Sequence, residues 1–247
     1  MTPNVKSRTA LITGGTGSVG RALVQAFALN GYRVSFQYCR NKATASQLSK
    51  RFNAEPIQLD FEQDFKLPKS DFDVIVNNAG INISDSPTHK VTVENWNRTL
   101  RVNLTAPFQI VRQCLPSMIR KRWGRIINVS SIYGLRAAEG NFPYTVSKHG
   151  LSGFTKTIAR EYAVHGITCN EICPGPIDSN MMREIAKRSA KQGGGTVKDY
   201  LTEVCEEIPA NRMLKPYELA TLAVFLASPE AGYLTGTSIP MDGGMIT

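Results

Sequence analysis

The feature that most constrains the fold is a short apolar run followed by a glycine-rich turn and a helical pattern. The apolar run is Thr9–Thr13, and the turn that follows it is Gly14–Gly20. Val19, Leu23 and Phe27 then recur at the spacing of one helix face. Glycines let a backbone approach a pyrophosphate, and a helix N terminus stabilises its negative charge. The stretch therefore predicts the strand, turn and helix of a dinucleotide-binding fold, with a merely flexible turn as the lesser alternative.

The remainder of the chain alternates strands with helices, which predicts an α/β fold. We expect a Rossmann-type, doubly wound and largely parallel sheet with helices on both faces, in a single domain spanning residues 1–247. One stunted helix is expected between the third and fourth strands, because that connection contains Pro68 and is short. The predicted strands are Thr9–Thr13, Arg33–Tyr38, Pro56–Asp60, Phe72–Val76, Gly124–Ser130, Ile167–Cys173 and Thr237–Pro240, and the clearest helices are Val93–Met118, Phe142–His165 and Pro216–Ala227.

Composition is that of a globular protein, with 247 residues of which 42% are hydrophobic and 20% charged. No apolar run is long enough for a membrane span. Met1–Arg8 is polar, so we expect a cytoplasmic location and no secretory signal. Five cysteines, an odd number without zinc-like spacing, and three scattered histidines predict reduced thiols and no metal site.

The net charge of +9 raises the question of nucleic-acid binding. Apart from Arg120–Arg122 and the nearby Arg125, however, the basic residues are spread along the chain. No basic and aromatic recognition stretch accompanies them. A solvated basic surface is the favoured interpretation, an anionic cofactor or substrate is the next, and nucleic acid is the last.

The end of the second strand bears on which dinucleotide is bound. An acidic residue there suits the ribose 2′-hydroxyl of NAD, whereas a basic residue suits the 2′-phosphate of NADP. No Asp or Glu occurs between Val34 and Asn41, and Arg40 and Lys42 are available instead. The pattern favours NADP(H) and leaves NAD(H) possible; for Lys42, a solvated helix start is nearly as good an explanation.

A candidate acid/base pair lies in the predicted helix Phe142–His165. Tyr144 and Lys148 are four residues apart and therefore project from one face of that helix. A free tyrosine has a pKa near ~10, and a neighbouring positive charge lowers it. The pair is a plausible general acid/base for a hydroxyl or a carbonyl. A short motif of this kind also occurs by chance on solvated helices, so it gains weight only from its context.

Further motifs lie where a ligand crevice is expected. Asn77–Gly80 closes the fourth strand with small residues and amides, which suits a crevice at the carboxyl end of a sheet. Residues 180–207 form a polar helical stretch that is interrupted by Gly193–Gly195. This segment predicts a substrate lid with a flexible hinge, although a plain surface excursion is the alternative.

Jointly, in their order and spacing, these motifs resemble the short-chain dehydrogenase/reductase family in its single-domain form. The resemblance runs from Arg8 to about Met245. It implies that the catalytic residues are Asn103, Ser131, Tyr144 and Lys148. It also implies a nicotinamide dinucleotide site formed by Gly14, Thr16, Ser18, Val19, Gly20, Arg40, Asp60, Phe61, Asn78, Ala79, Gly80, Tyr144, Lys148, Pro174, Gly175, Ile177 and Ser179.

The resemblance further implies a mechanism. Tyr144 protonates the alkoxide that forms as a carbonyl receives hydride, and Ser131 hydrogen-bonds the carbonyl oxygen. Lys148 lowers the pKa of Tyr144 and holds the ribose hydroxyls. Asn103 positions a water that links Lys148 to bulk solvent.

Three positions depart from the family pattern. Ser18 stands where the middle glycine of the cofactor loop is usual, and Ser179 replaces a usual threonine while keeping its hydroxyl. Gly17 stands where NADP-dependent members often carry a basic residue, which weighs against NADP.

Within the family the chain resembles 3-oxoacyl thioester reductases, including those acting on acyl-carrier-protein and acetoacetyl-CoA substrates. Arg122 and His165 correspond to positions that are basic in carrier-protein-binding members. The long segment 180–207 instead resembles reductases of small or secondary-metabolite carbonyls, with Arg136, Glu139 and Phe142 as candidate pocket residues or plain loop surface.

Three functions stay open from the sequence. The favoured function is that of an NADP(H)-dependent ketoreductase, and the second is that of an NAD-dependent alcohol dehydrogenase. The third is that of a non-enzymatic, cofactor-binding regulator. The presence of Asn103, Ser131, Tyr144 and Lys148 argues against this third function. The resemblance also implies a homotetramer or dimer formed through Val93–Met118 and Phe142–His165. The residues themselves lead us to expect no nucleic-acid or membrane partner.

Overall fold

The computed structural model describes residues 8–83 and 86–246, apart from the side chain of Gln192. Residues 1–7 of the polar stretch Met1–Arg8 therefore lie outside the described residues. Seven parallel strands of this part of the chain form one sheet in the order β3-β2-β1-β4-β5-β6-β7. They are β1 (Thr9–Ile12), β2 (Arg33–Tyr38), β3 (Glu55–Gln58), β4 (Val74–Asn77), β5 (Gly124–Val129), β6 (Ile167–Pro174) and β7 (Ser238–Met241). The predicted Rossmann-type sheet is confirmed.

The helices cover both faces of the sheet, as predicted. They are α1 (Ser18–Leu29), α2 (Lys42–Phe52), α3 (Val93–Leu100), α4 (Ala106–Lys121), α5 (Phe142–Tyr162), α6 (Asn180–Gly193), α7 (Val197–Glu206) and α8 (Pro216–Ala227), with short 3-10 turns at Thr88–Lys90, Ile132–Gly134 and Ala163–His165. Alternate strand residues face opposite layers. Ala10 and Ile12 pack in a core with α1, α2 and α8, whereas Leu11 packs under α4 and α5.

The predicted helix Val93–Met118 is present but is not regular throughout. A π-helical turn at Arg101–Thr105 separates α3 from α4. Such a turn widens the helix locally and re-aims the side chains within it. Asn103 lies inside this turn and is only 1% exposed, so it faces the protein interior.

The prediction of a stunted helix between β3 and β4 is wrong, because residues 59–73 form turns and extended chain. The Asp60 carboxylate accepts a hydrogen bond from the backbone N–H of Glu62 at 3.0 Å, which competes with helix formation. The buried side chains of Phe61, Leu67 and Phe72 hold the segment against the sheet instead. Among the described residues, no helix is long and apolar enough to cross a membrane.

Candidate active site

The strand order reverses between β1 and β4, and a crevice opens there at the carboxyl ends of the strands, as the fold requires. Its volume is about 920 Å³, at the upper end of the ~300–1,000 Å³ usual for ligand sites. Asn103 lies behind the wall of the crevice. The other predicted site residues line it: Gly14, Thr16, Ser18, Val19, Gly20, Arg40, Asp60, Phe61, Asn78, Ala79, Gly80, Ser131, Tyr144, Lys148, Pro174, Gly175, Ile177 and Ser179.

The glycine-rich turn forms a cradle at one end of the crevice. Gly14 adopts a φ of 65°, which favours glycine. A Cβ on Gly20 would lie 2.0 Å from the Gly14 carbonyl oxygen, so only glycine lets α1 approach the turn this closely. The helix begins at Ser18, and its N-cap residue Gly17 supplies no side-chain cap. The first-turn N–H groups and the positive end of α1 therefore suit a pyrophosphate, and the residues present fit a dinucleotide cofactor.

Two buried side chains hold this cradle in place. Gln37 accepts a hydrogen bond from the Gly14 N–H at 2.9 Å and donates one to the Leu59 carbonyl at 2.6 Å. Thr13 Oγ1 accepts from the backbone N–H groups of Asn78 and Ala79, each at 2.9 Å. Gln37 was not predicted as a site residue; the signal for it in the sequence is a polar residue within the second strand.

The outer end of the crevice carries the residues that bear on cofactor choice. β2 ends at Tyr38, and the exposed Arg40 lies two residues beyond it on the crevice wall. Lys42, the second basic residue considered, is the first residue of α2 and does not line the crevice. Asp60 faces the same end of the crevice from the segment after β3.

The candidate catalytic residues meet at the inner end. Ser131 follows β5, while Tyr144 and Lys148 come from the first two turns of α5. Ser131 Oγ accepts a hydrogen bond from the Tyr133 N–H at 3.1 Å, and Ser131 also hydrogen-bonds Tyr144. Lys148 Nζ lies 5.4 Å from the centre of the Tyr144 ring and donates to the Val129 carbonyl at 2.9 Å.

Asn103 is held by the backbone of the neighbouring loop. Its Oδ1 accepts from the Ile81 N–H at 2.9 Å, and its Nδ2 donates to the Ile81 carbonyl at 3.0 Å and to Ser147 Oγ at 3.1 Å. A Cβ on Gly80 would lie 3.5 Å from Asn103 Oδ1 and 3.7 Å from Lys148 Nζ. Asn103 and Lys148 therefore flank the same glycine.

The predicted lowering of the Tyr144 pKa is reversed in this structure. Burial raises the pKa of Tyr144 to about 12, and the hydrogen bond with Ser131 offsets only part of that rise. Burial also lowers the pKa of Lys148 to about 8. The reason is that Lys148 donates to a carbonyl rather than to the phenol, so desolvation outweighs the neighbouring positive charge.

The segment after β6 closes the remaining side of the crevice. Ser179 caps α6 by accepting from the Met182 N–H at 3.2 Å. Ser18 Oγ accepts from the Asn180 N–H at 3.0 Å, which ties the cofactor loop to the start of α6. Between α6 and α7, Gly194 and Gly195 adopt φ values of 70° and 123°. The interruption predicted within residues 180–207 is therefore where the chain turns.

Two asparagines of the crevice lining are hydrogen-bonded to each other. Asn82 donates to the Oδ1 of Asn141 at 2.8 Å, and both line the crevice with Arg136 and Glu139. Phe142, the third predicted pocket residue, stacks on Trp96 instead, with ring centres 5.5 Å apart. Among the described residues, no three His, Cys, Asp or Glu side chains are grouped to hold a metal ion.

Comparison with known proteins gives a consistent assignment. The family model described as enoyl-(acyl carrier protein) reductase matches residues 14–246. The chain is 36% identical to the acetoacetyl-CoA reductase of Shinella zoogloeoides, with 96% of this chain and 98% of that relative covered. It is 35% identical to the D-beta-hydroxybutyrate dehydrogenase of Cupriavidus necator, with 98% and 99% covered.

Solved structures agree with the sequence relatives. The crystal structure of an actinorhodin polyketide ketoreductase variant with NADPH superposes with a TM-score of 0.90 at 26% identity, covering 99% of each chain. With the crevice, the ordered catalytic motifs and these matches, the chain belongs to the short-chain dehydrogenase/reductase family and is an NAD(P)-dependent oxidoreductase that acts on alcohol and carbonyl groups.

Proposed function

We propose that this protein is an NADP(H)-dependent ketoreductase that reduces a 3-oxoacyl thioester or a related small carbonyl compound. The observation that carries the proposal is the meeting of Ser131, Tyr144 and Lys148 at the inner end of a crevice whose outer end presents the exposed Arg40 and no acidic residue on β2. When bound, the nicotinamide cofactor supplies the hydride in the reductive direction.

Ser131 orients the substrate carbonyl in this proposal. Its oxygen accepts a hydrogen bond from the Tyr133 N–H, which holds the side chain, and the residue lines the crevice. There it donates to the carbonyl oxygen and stabilises the negative charge that develops on it.

Tyr144 supplies the proton to the same oxygen. A phenol whose pKa is about 12 is fully protonated at neutral pH and can donate. Lys148, with a pKa of about 8, still carries its positive charge there. Its ammonium favours the phenolate that remains after proton transfer, and in this proposal it also holds the ribose hydroxyls of the cofactor.

The preference for NADP(H) rests on charge. Arg40 is available to the 2′-phosphate, whereas no carboxylate of β2 is available to a 2′-hydroxyl. The actinorhodin ketoreductase structure and a metagenomic blue fluorescent protein with a TM-score of 0.82 at 29% identity were both solved with NADPH. NAD(H) is the alternative cofactor.

The substrate class rests on the lining of the crevice beyond Tyr144. Met181, Met182, Ile185 and Val204 of α6 and α7 present apolar side chains there, which suits an acyl chain. We propose that residues 180–207 act as the substrate lid, hinged at Gly194 and Gly195. Relatives named acetoacetyl-CoA reductase and 3-oxoacyl-[acyl-carrier-protein] reductase support a thioester.

The deciding experiment combines cofactor titration with turnover. NADPH and NADH are titrated by fluorescence, and acetoacetyl-CoA reduction is then compared with 3-hydroxybutyrate oxidation. We expect tighter NADPH binding and faster reduction. Tighter NADH binding with faster oxidation would instead support an NAD-dependent alcohol dehydrogenase, which the hydroxybutyrate dehydrogenase relative makes the specific alternative.

A matched variant separates chemistry from binding. Tyr144→Phe removes only the phenolic hydroxyl, so NADPH affinity is expected to stay within about twofold, while kcat falls by roughly 10²- to 10⁴-fold, the usual contribution of a general acid. Unchanged kcat in this variant would refute the role given to Tyr144.

We also propose that two copies pair through α4 and α5. Between these helices lies an apolar groove that includes Phe108, Leu115, Ile119 and Phe154, and Phe108 is 49% exposed. Phe108→Glu places a charge in this surface, and size-exclusion chromatography is expected to show a smaller species. An unchanged assembly would place the interface elsewhere.

Pairing also bears on a carrier-protein site. Arg122 donates to the Val164 carbonyl at 2.9 Å and so lies beside His165. Both are at the far end of α5 from Tyr144, about 30 Å along the helix axis. They are therefore remote from the crevice of their own copy. An antiparallel pairing of two copies would bring Arg122 and His165 of one copy near the crevice of the other.

All five cysteines are unpaired thiols, which supports the cytoplasmic location proposed here.

A further inference from the structure

A hydrogen bond between two asparagines joins two walls of the crevice. Asn82 lies in the loop after β4, and Asn141 immediately precedes α5, three residues before Tyr144. Asn82 Nδ2 donates to Asn141 Oδ1 at 2.8 Å, and both residues line the crevice. Neither residue takes part in the proposed proton and hydride transfer. The bond therefore bears on the shape of the crevice rather than on the chemistry of Tyr144.

The bond leaves two other polar groups unsatisfied. Asn141 is the N-cap residue of α5, where an asparagine side chain ordinarily accepts from an N–H of the first helical turn, yet it forms no such cap. Asn82 Oδ1 is buried and has no hydrogen-bond partner among the described residues. Natural proteins break such local rules mainly at functional sites. A role in the site therefore explains the bond better than a role in the stability of α5.

Both ends of the bond are fixed by the backbone. Asn103 hydrogen-bonds the N–H and the carbonyl of Ile81, the residue next to Asn82. The Asn141 carbonyl accepts from the Thr145 N–H at 2.8 Å at the start of α5. Because neither backbone is free to move alone, the bond forms a wall of fixed position.

The proposed lid reaches the same wall. Met182, Ile185 and Ser189 of α6 line the crevice, and their spacing places them on one helix face. The apolar side chains of this face come from the first two turns of α6, and the next turn brings polar residues. Arg188, in that next turn, donates to the Asn82 carbonyl at 3.4 Å. The loop after β4, the start of α5 and the lid therefore meet at Asn82.

We propose that the Asn82–Asn141 bond and the contact of Arg188 form the end wall of the substrate cavity, which makes the enzyme selective for carbonyl substrates with a short chain. A chain that lies on Met182 and Ile185 approaches this wall about one helical turn farther on, roughly 5 Å along α6. A longer chain would have to separate polar groups that are hydrogen-bonded to one another, which is unfavourable in an apolar surrounding.

The two parts of this inference have different foundations. The choice of a thioester as the substrate rests on the proposed function. The end wall itself requires only the activity on alcohol and carbonyl groups that the family assignment gives. The experiment therefore uses thioesters first and simple ketones second.

Three variants test the end wall. Asn141→Ser withdraws the acceptor from Asn82, because serine is one bond shorter, but keeps a favourable N-cap residue for α5. Asn141→Asp is the matched control, since it keeps an acceptor oxygen at the same position. Both variants lose the hydrogen bond from Asn141 Nδ2 to the Glu139 carbonyl, so this loss cancels in the comparison. Asn82→Ala breaks the bond from the opposite wall, and thermal unfolding of each variant controls for folding.

The measurement is the ratio of kcat/KM for the 3-oxodecanoyl thioester of N-acetylcysteamine to that for the acetoacetyl thioester, with the tighter-binding nicotinamide cofactor at saturation. The two substrates differ only in the acyl chain, so effects on the catalytic residues cancel in the ratio. One methylene group in an apolar pocket changes kcat/KM by about 10- to 200-fold. We expect wild type and Asn141→Asp to favour the acetoacetyl thioester at least about tenfold, and the ratio to rise at least about tenfold in Asn141→Ser and Asn82→Ala.

Several outcomes would overturn the end wall. One is a wild-type protein that reduces the 3-oxodecanoyl thioester as well as the acetoacetyl thioester. Another is a wild-type ratio in Asn141→Ser and Asn82→Ala, and a third is the same ratio in Asn141→Ser and Asn141→Asp. If Asn141→Ser does not fold, Asn82→Ala carries the comparison.

Failure of the proposed function gives a different result. If the wild-type protein reduces neither thioester, the proposed thioester reductase is refuted alone, and the ratio for 2-decanone and 2-butanone in the same variants decides the role of the end wall. Reduction of none of these carbonyl compounds would overturn both.

Discussion

Replacing Gly20 by alanine tests whether close packing of α1 against the glycine-rich turn forms the cofactor cradle. The added Cβ would meet the Gly14 carbonyl oxygen at 2.0 Å and the Gly15 Cα at 2.8 Å. Both are backbone atoms, so neither can rotate away. The turn and the helix must separate by about 1 Å to reach even a tight contact of 3.0 Å.

The magnitude follows from two opposing effects. Overpacking of this kind destabilises by about 1–3 kcal/mol, and a backbone clash belongs at the upper end. Alanine is favoured over glycine inside a helix by about 1 kcal/mol, because it restricts the unfolded chain. The net expectation for Gly20→Ala is a loss of about 2 kcal/mol in the free energy of unfolding.

Gly17→Ala provides the matched control three residues away. Its Cβ would contact only the Gly14 carbonyl oxygen, at 3.4 Å, and its φ of −71° is open to any residue. Alanine is a poorer N-cap than glycine, so a loss below about 1 kcal/mol is expected.

Urea unfolding followed by circular dichroism measures both variants, and NADPH fluorescence measures the cradle directly. Displacing the turn by about 1 Å is expected to weaken NADPH binding at least tenfold in Gly20→Ala. If Gly20→Ala proves as stable as Gly17→Ala, the packing argument is refuted. Normal NADPH affinity in a destabilised Gly20→Ala would show that the cradle does not depend on this contact.

Three further predictions concern single contacts. Ser18→Gly removes the hydrogen bond to the Asn180 N–H and is expected to change NADPH affinity by less than about tenfold, the weight of one partly exposed hydrogen bond; a titration checks this. Asn103→Ala leaves buried backbone groups unpaired and is expected to lose about 1–3 kcal/mol in urea unfolding. Arg212 and a backbone N–H lower the pKa of Glu218 to about 2, so the stabilisation is present above the usual pKa of 4.5 and is lost as pH falls toward 2. Melting temperatures of wild type and Glu218→Gln should therefore differ at pH 7 and converge near pH 2.

The pattern of apolar residues was sufficient to predict the sheet, because the buried strands are short apolar runs bounded by turn residues. Arg33–Tyr38 and Pro216–Ala227 occur in the structure with the predicted limits. The connection after Asp60 was misjudged because its local side-chain hydrogen bond is not visible in a hydrophobic pattern. The π-helical turn at Arg101–Thr105 was missed for a related reason: it shifts the register by one residue without changing which residues are apolar.

Electrostatics was the part of the site least accessible from the sequence. The spacing of Tyr144 and Lys148 predicts that they lie near each other, but not that Lys148 donates to Val129 or that both are desolvated. Because of the burial, the pKa of Tyr144 is raised rather than lowered as predicted. Gln37 was overlooked because a polar residue in a strand does not reveal whether it is exposed or buried with a partner.

The structure separates the residues proposed for chemistry from those proposed for specificity. Three of the four side chains proposed for catalysis are fixed by a backbone group: Ser131 by Tyr133, Lys148 by Val129 and Asn103 by Ile81. The lid proposed at residues 180–207 instead contacts the cofactor loop through the hydrogen bond from the Asn180 N–H to Ser18 Oγ. Because α6 and α7 carry none of the side chains proposed for catalysis, we expect changes in their side chains to affect the substrate more than the catalytic geometry. Relatives named for acetoacetyl-CoA, 3-oxoacyl carrier-protein and hydroxybutyrate substrates match this chain at 36%, 32% and 35% identity, so we expect the proposed lid, rather than the proposed catalytic residues, to distinguish among such substrates.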